Sequence, residues 1–132
     1  MITVADYMSR PPFCIQQKEP LVAAHGLMRE HGIRHLPVLD GERLVGLLSE
    51  RDLHLIETLR SVDPRREQVA GAMTENPFAV APDMALSRVA QVMYANRYGS
   101  AVVVEHGVVI GIFTTMDALR AISEGCAEPA AF

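Results

Sequence analysis

The sequence contains no tryptophan, and only 5% of its residues are aromatic. Its formal net charge is -4, with 12 Lys and Arg against 16 Asp and Glu. A nucleic-acid surface needs clustered basic side chains, so this balance argues against such a partner. No apolar run reaches the roughly 18 to 20 residues of a membrane-spanning helix. The first residues, MITVADYMSR, include an acid and no long apolar run, so we expect no signal peptide and no membrane partner.

Cysteine is also scarce. Cys14 and Cys126 are the two cysteines in the sequence, and they lack the close spacing of a metal site. This usage predicts a reduced, cytoplasmic protein. The length of 132 residues allows one compact domain, or two small repeats that share a core. Apolar residues at 49% and charged residues at 21% are typical of a globular chain.

The chain contains an internal repeat. Residues Val4 to Ile56 align without a gap to residues Val69 to Ala121. The identical residues include a proline, a glycine and an acid at structurally meaningful places: Pro12 and Pro77, Gly46 and Gly111, Asp52 and Asp117. An ungapped match at turn, strand and helix-start positions indicates a duplication. We therefore divide the chain into a first repeat (1–60), a linker (61–68), a second repeat (69–124) and a tail (125–132) that frays, with the repeats forming one compact module.

Each repeat has the same predicted elements. A short leading segment is followed by an extended Pro-Phe piece, a helix, two strands and a last helix. The predicted helices run from about Pro20 to His31, Ser49 to Arg60, Ala85 to Arg97, and Thr114 to Glu124. Asp40-Gly41 predicts a hairpin between the two strands of the first repeat, with Glu42 and Arg43 available to lengthen the loop.

A unit of this size cannot bury its sheet alone, so two units are needed to form a core. Burial of about a dozen aliphatic side chains, at about 1.5–3 kcal/mol each, would offset much of the ordering entropy. The predicted fold is therefore α+β, with two β-α-β-β-α repeats packed sheet to sheet about a pseudo-twofold axis.

The duplicated pattern resembles the cystathionine-β-synthase (CBS) domain pair. The resemblance rests on GIRHLPVLD, RLVGLLSERD, YGSAVVVE and VVIGIFTTMD, and on the leading pieces VADYMSRPPF and VAGAMTENPF. It covers about Val4 to Ile122. It implies a regulatory module that binds adenosyl ligands in clefts between the repeats. It also implies a disc-like homodimer.

Two (S/T)-x-x-D motifs open the last helix of each repeat, Ser49 to Asp52 and Thr114 to Asp117. Each motif is typical of a capping box, in which the hydroxyl and the acid satisfy free N–H groups of the helix start. The resemblance supplies an alternative, in which the Asp carboxylate accepts hydrogen bonds from both ribose hydroxyls. The hydroxyl and the helix N-terminus would then face phosphate.

Three basic or titratable residues, Arg34, His35 and Arg51, flank the first of these motifs. These residues could form a solvated basic face. They could also form a phosphate clamp, because an Arg in a first helical turn is unfavourable without a nearby anion. The resemblance implies the clamp. The second repeat has Gly99, Ser100 and Met116 at these positions, so the resemblance implies two unequal sites.

Several apolar residues are either ordinary core or the lining of an adenine slot. They are Pro12, Phe13, Cys14, Ile33 and Pro37 in the first repeat, and Phe78, Ala79 and Tyr98 in the second. Cys14, His25, His31, His35 and His54 raise the question of a metal site. We expect none, because the strand pattern around Pro37 removes His35 from the helical face of His31.

The sequence lacks a glycine-rich phosphate loop, a nucleophile elbow and a His-Glu metal motif, so we expect neither catalytic residues nor a required cofactor. The resemblance implies a ligand such as AMP, ADP or ATP, and an effector protein that responds to its binding. The alternative function is a ligand-free dimerisation or protein-interaction module.

Overall fold

The architecture comes from a computed structural model that describes residues 1–125. Those residues form four α-helices and seven β-strands, which confirms the predicted α+β class. The helices are α1 Leu21–His31, α2 Glu50–Leu59, α3 Leu86–Asn96 and α4 Thr115–Ser123. The strands are β1 Ile15–Gln16, β2 His35–Asp40, β3 Arg43–Ser49, β4 Thr74–Glu75, β5 Ala79–Val80, β6 Ser100–Glu105 and β7 Val108–Thr114.

The chain divides into two compact units. The continuous unit is Phe13–Pro77, and the discontinuous unit joins Met1–Pro12 to the chain from Phe78 onward. The sheet of the continuous unit has the order β1-β2-β3-β4, and the sheet of the discontinuous unit has the order β5-β6-β7. In each sheet the first strand is parallel to the second, and the remaining neighbours are antiparallel.

These units do not follow the boundaries of the sequence repeats. The leading segment of the first repeat forms a 3₁₀ turn, Val4–Asp6, in the discontinuous unit, where Val4 N–H donates to Met84 O at 2.9 Å. The leading segment of the second repeat forms the 3₁₀ turn Val69–Gly71 in the continuous unit, where Val69 N–H donates to Glu19 O at 2.8 Å. Val4 and Val69 are both fully buried. Each core is therefore completed by the leading segment of the other repeat.

The hairpins and helix starts follow from local sequence, with small corrections. Asp40 pairs with Arg43, so the loop is Gly41-Glu42, one residue later than the predicted Asp40-Gly41. Gly41 has a φ of 64°, a conformation that glycine adopts without steric cost. Pro20 has a ψ of 154° and is the N-cap residue of α1, so this helix begins one residue later than predicted.

Each unit has its own apolar core. The continuous unit buries Leu21, Leu36, Val38 and Leu48 among others, and the discontinuous unit buries Val89, Val103 and Phe113 among others. None of the helices in residues 1–125 has the length and apolarity needed to cross a bilayer. Except for Gly125, the predicted tail lies outside the described residues.

Candidate functional site

The start of α2 is organised by the Ser49 and Asp52 side chains. Ser49 Oγ accepts from Asp52 N–H at 3.0 Å, and Asp52 Oδ2 accepts from Ser49 N–H at 3.0 Å. The capping-box interpretation of this motif is therefore confirmed. The second carboxylate oxygen, Asp52 Oδ1, accepts no hydrogen bond from the residues that the structure describes. A capping role thus leaves half of this half-buried carboxylate available to a ligand.

The start of α4 has the same cap, but here both oxygens of the Asp117 carboxylate accept hydrogen bonds. Asp117 Oδ2 accepts from Thr114 N–H at 2.9 Å, and Asp117 N–H donates to Thr114 Oγ1 at 3.4 Å. Asp117 Oδ1 accepts from the Ser9 hydroxyl at 2.8 Å, and the Asp117 residue is only 7% exposed. The two motifs therefore differ: both oxygens of Asp117 are engaged, while Asp52 keeps one acceptor.

An open cleft of about 890 Å³ lies beside the start of α2 in the continuous unit. It brings together four of the predicted site residues, Arg34, His35, Ser49 and Arg51. The rest of its lining comes from α1 and α2: His25, Met28, Arg29, Glu50, His54, Glu57 and Thr58. Asp52 is not among the residues that line this cleft.

Burial lowers the pKa of His35 below its ordinary value of 6.5, and the Arg34 charge acts in the same direction. The carboxylates of Asp52 and Glu50 oppose this shift without cancelling it. His35 is therefore neutral at pH 7, where it can donate one hydrogen bond and accept another.

The shift at His35 predicts a loss of stability in mild acid. As the pH decreases below 6.5, the unfolded chain takes up a proton at this histidine before the folded chain does. The free energy of unfolding therefore decreases as the pH decreases. We expect His35→Gln to lessen this fall in melting temperature between pH 7.5 and 5.5. His106→Asn, at an exposed turn position, is the control for the loss of a histidine. Parallel profiles for His35→Gln and the parent would contradict the prediction.

The corresponding cleft of the discontinuous unit has a volume of about 660 Å³ and a different chemistry. Arg97 is its one charged lining residue among those described, and the other lining residues are Ala90, Met93, Tyr94, Ala95, Tyr98, Gly99, Phe113, Thr115 and Ala118. Ser100 follows Gly99 and is only 2% exposed, and its hydroxyl finds no partner in residues 1–125. A buried hydroxyl without a partner is costly, and a bound water or ligand would relieve the cost.

The residues predicted to line an adenine slot are only partly assembled. Phe13 stacks on His31 with ring centroids 3.7 Å apart, so one face of its ring is already covered. Phe78 and Tyr98 lie 5.3 Å apart in a tilted arrangement. The half-buried Ile33 packs against the core of its unit, and Pro37 is fully buried. Of the remaining positions, Pro12 is half-buried and Ala79 is exposed.

Cys14 is half-buried, and burial raises the pKa of its thiol. At neutral pH this thiol is protonated, which disfavours both nucleophilic attack and metal binding. Residues 1–125 contain no cluster of three or more His, Cys, Asp or Glu side chains that could hold a metal ion.

Sequence reasoning missed the part of the basic cleft that α1 and α2 contribute. Motif and spacing do not indicate Arg29 and Glu57 as site residues, and they indicate His25 and His54 only as candidate metal ligands. His25 and Glu57 form a direct contact between the two helices. The signal was present in the repeat alignment, because the second repeat has the uncharged residues Ala90, Tyr94, Leu119 and Ile122 at these four positions.

The family model for the CBS domain matches the chain twice, at residues 4–55 and 67–124. The chain belongs to the CBS domain family. The two matches confirm the resemblance drawn from the sequence. A relative is hypoxic response protein 1 of Mycobacterium tuberculosis, which is 28% identical over 125 residues, covering 94% of this chain and 87% of the relative.

Two crystal structures of CBS proteins are similar to this chain and contain adenosyl ligands. The CBS domain pair of protein MJ0100, in complex with 5′-methylthioadenosine and S-adenosyl-L-methionine, has a TM-score of 0.85 and 25% identity, covering 94% of this chain and 98% of that one. CBSX2 in complex with AMP has a TM-score of 0.78 and 26% identity, again covering 94% and 98%. Relatives of this fold therefore bind adenosyl compounds.

Proposed function

We propose that this CBS protein is a regulatory, non-catalytic module that binds an adenosyl nucleotide at the start of α2. The ribose would be held by Asp52, and the phosphate by Arg34, Arg51 and the Ser49 end of the helix. Ligand binding would favour one conformation of the protein, and an effector protein would respond to that conformation.

The observation that carries this proposal is the gathering of Arg34, His35, Ser49 and Arg51 around one cleft. Guanidinium groups are suited to phosphate because they donate paired, charge-assisted hydrogen bonds. The uncommitted Oδ1 of Asp52 supplies an acceptor for sugar hydroxyls nearby. The adenosyl ligands bound by MJ0100 and CBSX2 support the same ligand class.

A thermal-shift screen tests the proposal. The compounds are adenosine, AMP, ADP, ATP, 5′-methylthioadenosine and S-adenosyl-L-methionine, with GMP as the base-specificity control. A ligand at 100 times its dissociation constant stabilises the native state by about 2.7 kcal/mol, which is readily measured as a rise in melting temperature. No shift with any adenosyl compound would favour the alternative, a ligand-free interaction module.

Arg51→Met should remove most of the preference for AMP over adenosine. Met is the residue of the second repeat at this position, so the change tests the charge with a side chain that the fold already accepts. We expect AMP to bind about 10-fold more tightly than adenosine in the parent, and nearly equally in the variant. Calorimetric titration measures both. Arg51→Lys, which keeps the charge, is the control, and equal affinities of the parent for the two ligands would exclude the phosphate clamp.

We also propose that the protein forms a homodimer through helices of both repeats. On α2, Leu55 is 45% exposed and Leu59 is 76% exposed, whereas Leu53 is fully buried and so is not available to an interface. Four other large apolar side chains lie exposed on α3 and α4: Tyr94 at 88%, Met116 at 65%, Leu119 at 59% and Ile122 at 64%. Exposed apolar groups on neighbouring helices are typical of a protein interface.

Leu119→Glu combined with Ile122→Glu should convert the dimer into a monomer. Two carboxylates within an apolar contact should weaken association by at least about 30-fold. Light scattering should give twice 14.5 kDa for the parent at micromolar concentration and 14.5 kDa for the variant. Val108→Glu, at an exposed position of β7, is the control. A parent mass of one chain would contradict the dimer.

A further inference from the structure

The basic cleft extends well beyond the residues assigned to a single phosphate. Arg34 precedes β2 and Arg51 lies in the first turn of α2, but Arg29 on α1 and His54 on α2 line the same volume. Arg51 and His54 are three residues apart and so share one face of α2. The basic side chains therefore come from both helices and from the loop that leads to β2.

Acidic partners do not neutralise these arginines. Within residues 1–125, no ion pair joins Arg29, Arg34 or Arg51 to a carboxylate. Two acids, Glu50 and Glu57, line the cleft, and Glu57 is engaged by His25. The cleft is thus positive in a chain whose formal net charge is -4. Such a local concentration of positive charge attracts anions.

We propose that Arg29 and His54 extend the phosphate site, so that the cleft selects a ligand with a chain of two or three phosphates over a monophosphate. The inference rests on the proposed function, because the nucleoside is held outside the cleft at Asp52 while the phosphates enter it. A linear polyphosphate has more anionic oxygens than one phosphate, so it can engage more of the basic groups on α1, on α2 and before β2. The volume of about 890 Å³ leaves room for such a chain.

The second repeat shows that these charges are not required by the fold. At the positions of Arg29 and His54 it has Tyr94 and Leu119, and its cleft is mostly apolar. Arg29→Tyr is therefore a substitution that the architecture already tolerates once. Arg88→Tyr provides a matched control, because Arg88 is an exposed helical arginine of α3 that lies outside both clefts.

The experiment is calorimetric titration of AMP, ATP and inorganic tripolyphosphate, at pH 7.5 with a chelator to remove divalent cations. In the parent we expect ATP to bind at least about 10-fold more tightly than AMP, and tripolyphosphate to compete with ATP. Arg29→Tyr should lower ATP and tripolyphosphate affinity about 10-fold and AMP affinity less than 2-fold. Arg88→Tyr should change none of them, and circular dichroism melting confirms that each variant folds.

The outcomes separate this inference from the proposed function. If AMP binds but ATP binds no more tightly and tripolyphosphate does not bind, the polyphosphate site is wrong and the nucleotide site stands. If tripolyphosphate binds in an Arg29-dependent way but no adenosyl compound binds, the cleft stands and the adenosyl ligand is wrong. Equal losses in Arg29→Tyr and Arg88→Tyr would overturn the inference, since net charge alone would then explain the binding.

Discussion

Replacing Asp52 by Asn is expected to weaken nucleotide binding by about 10- to 150-fold. In the proposed complex two ribose hydroxyls donate to one carboxylate, and hydrogen bonds to a charged group contribute about 1.5–3 kcal/mol. Asn keeps the shape of the side chain and can still accept from Ser49 N–H, so the cap should lose no more than about 1 kcal/mol. Calorimetry measures the affinity, and the melting temperature measures the cap.

Asp117→Asn is the matched control for this prediction. Both oxygens of Asp117 already accept hydrogen bonds from Ser9 and Thr114, so we expect this variant to lower the melting temperature with less than a 3-fold change in affinity. The opposite pattern, with nucleotide affinity lost at Asp117 and kept at Asp52, would place the ribose at α4. If neither variant alters affinity while both melt earlier, the two carboxylates serve as caps alone.

Phe113→Ala should cause a large loss of stability. Phe113 is a fully buried side chain of β7 in the core of the discontinuous unit. Its truncation removes apolar contacts and leaves a cavity, at a cost of about 3–5 kcal/mol. In a chain of this size such a loss lowers the melting temperature by roughly 10–20 °C. Chemical unfolding followed by circular dichroism measures the free energy directly.

Phe113→Leu is the comparison that separates the effect of lost volume from the effect of the lost aromatic ring. Leu48 occupies the matching position of β3 and is also fully buried, so the fold accepts leucine at this place in the other core. We expect the leucine variant to lose only about 1 kcal/mol. Equal losses for the alanine and leucine variants would mean that the aromatic ring itself, rather than the filled volume, determines stability.

The helices and strands could be predicted closely because their signals are local. Neighbouring residues alone show the apolar periodicity of Leu21 to Met28 and the cap at Ser49. The structure accordingly places α1 and α2 within about one residue of the predicted starts. The sequence does not predict which leading segment completes which core. Val4 and Val69 are identical and equally apolar, so either could fill either core, and only long-range packing decides between them.

The site was predicted in part for a similar reason. Motif and spacing predict the two caps and the residues Arg34, His35 and Arg51. They do not predict that Asp117 uses both carboxylate oxygens while Asp52 uses one. Ser9 and Thr74 occupy matching positions, and both are exposed and have a hydroxyl. Ser9 donates to Asp117, but within residues 1–125 no such hydrogen bond joins Thr74 to Asp52. Two similar hydroxyls give the same sequence signal, and their different surroundings appear only in three dimensions.

The assignment of each leading segment to the opposite unit bears on how this chain arose. A single ancestral repeat would have held a helix pair and sheet whose core lacked the valine now supplied by Val4 or Val69. Such an ancestor could complete its core by exchanging leading segments with a second copy, as domain-swapped proteins do. On that route, gene duplication would have joined two copies that already exchanged their leading segments.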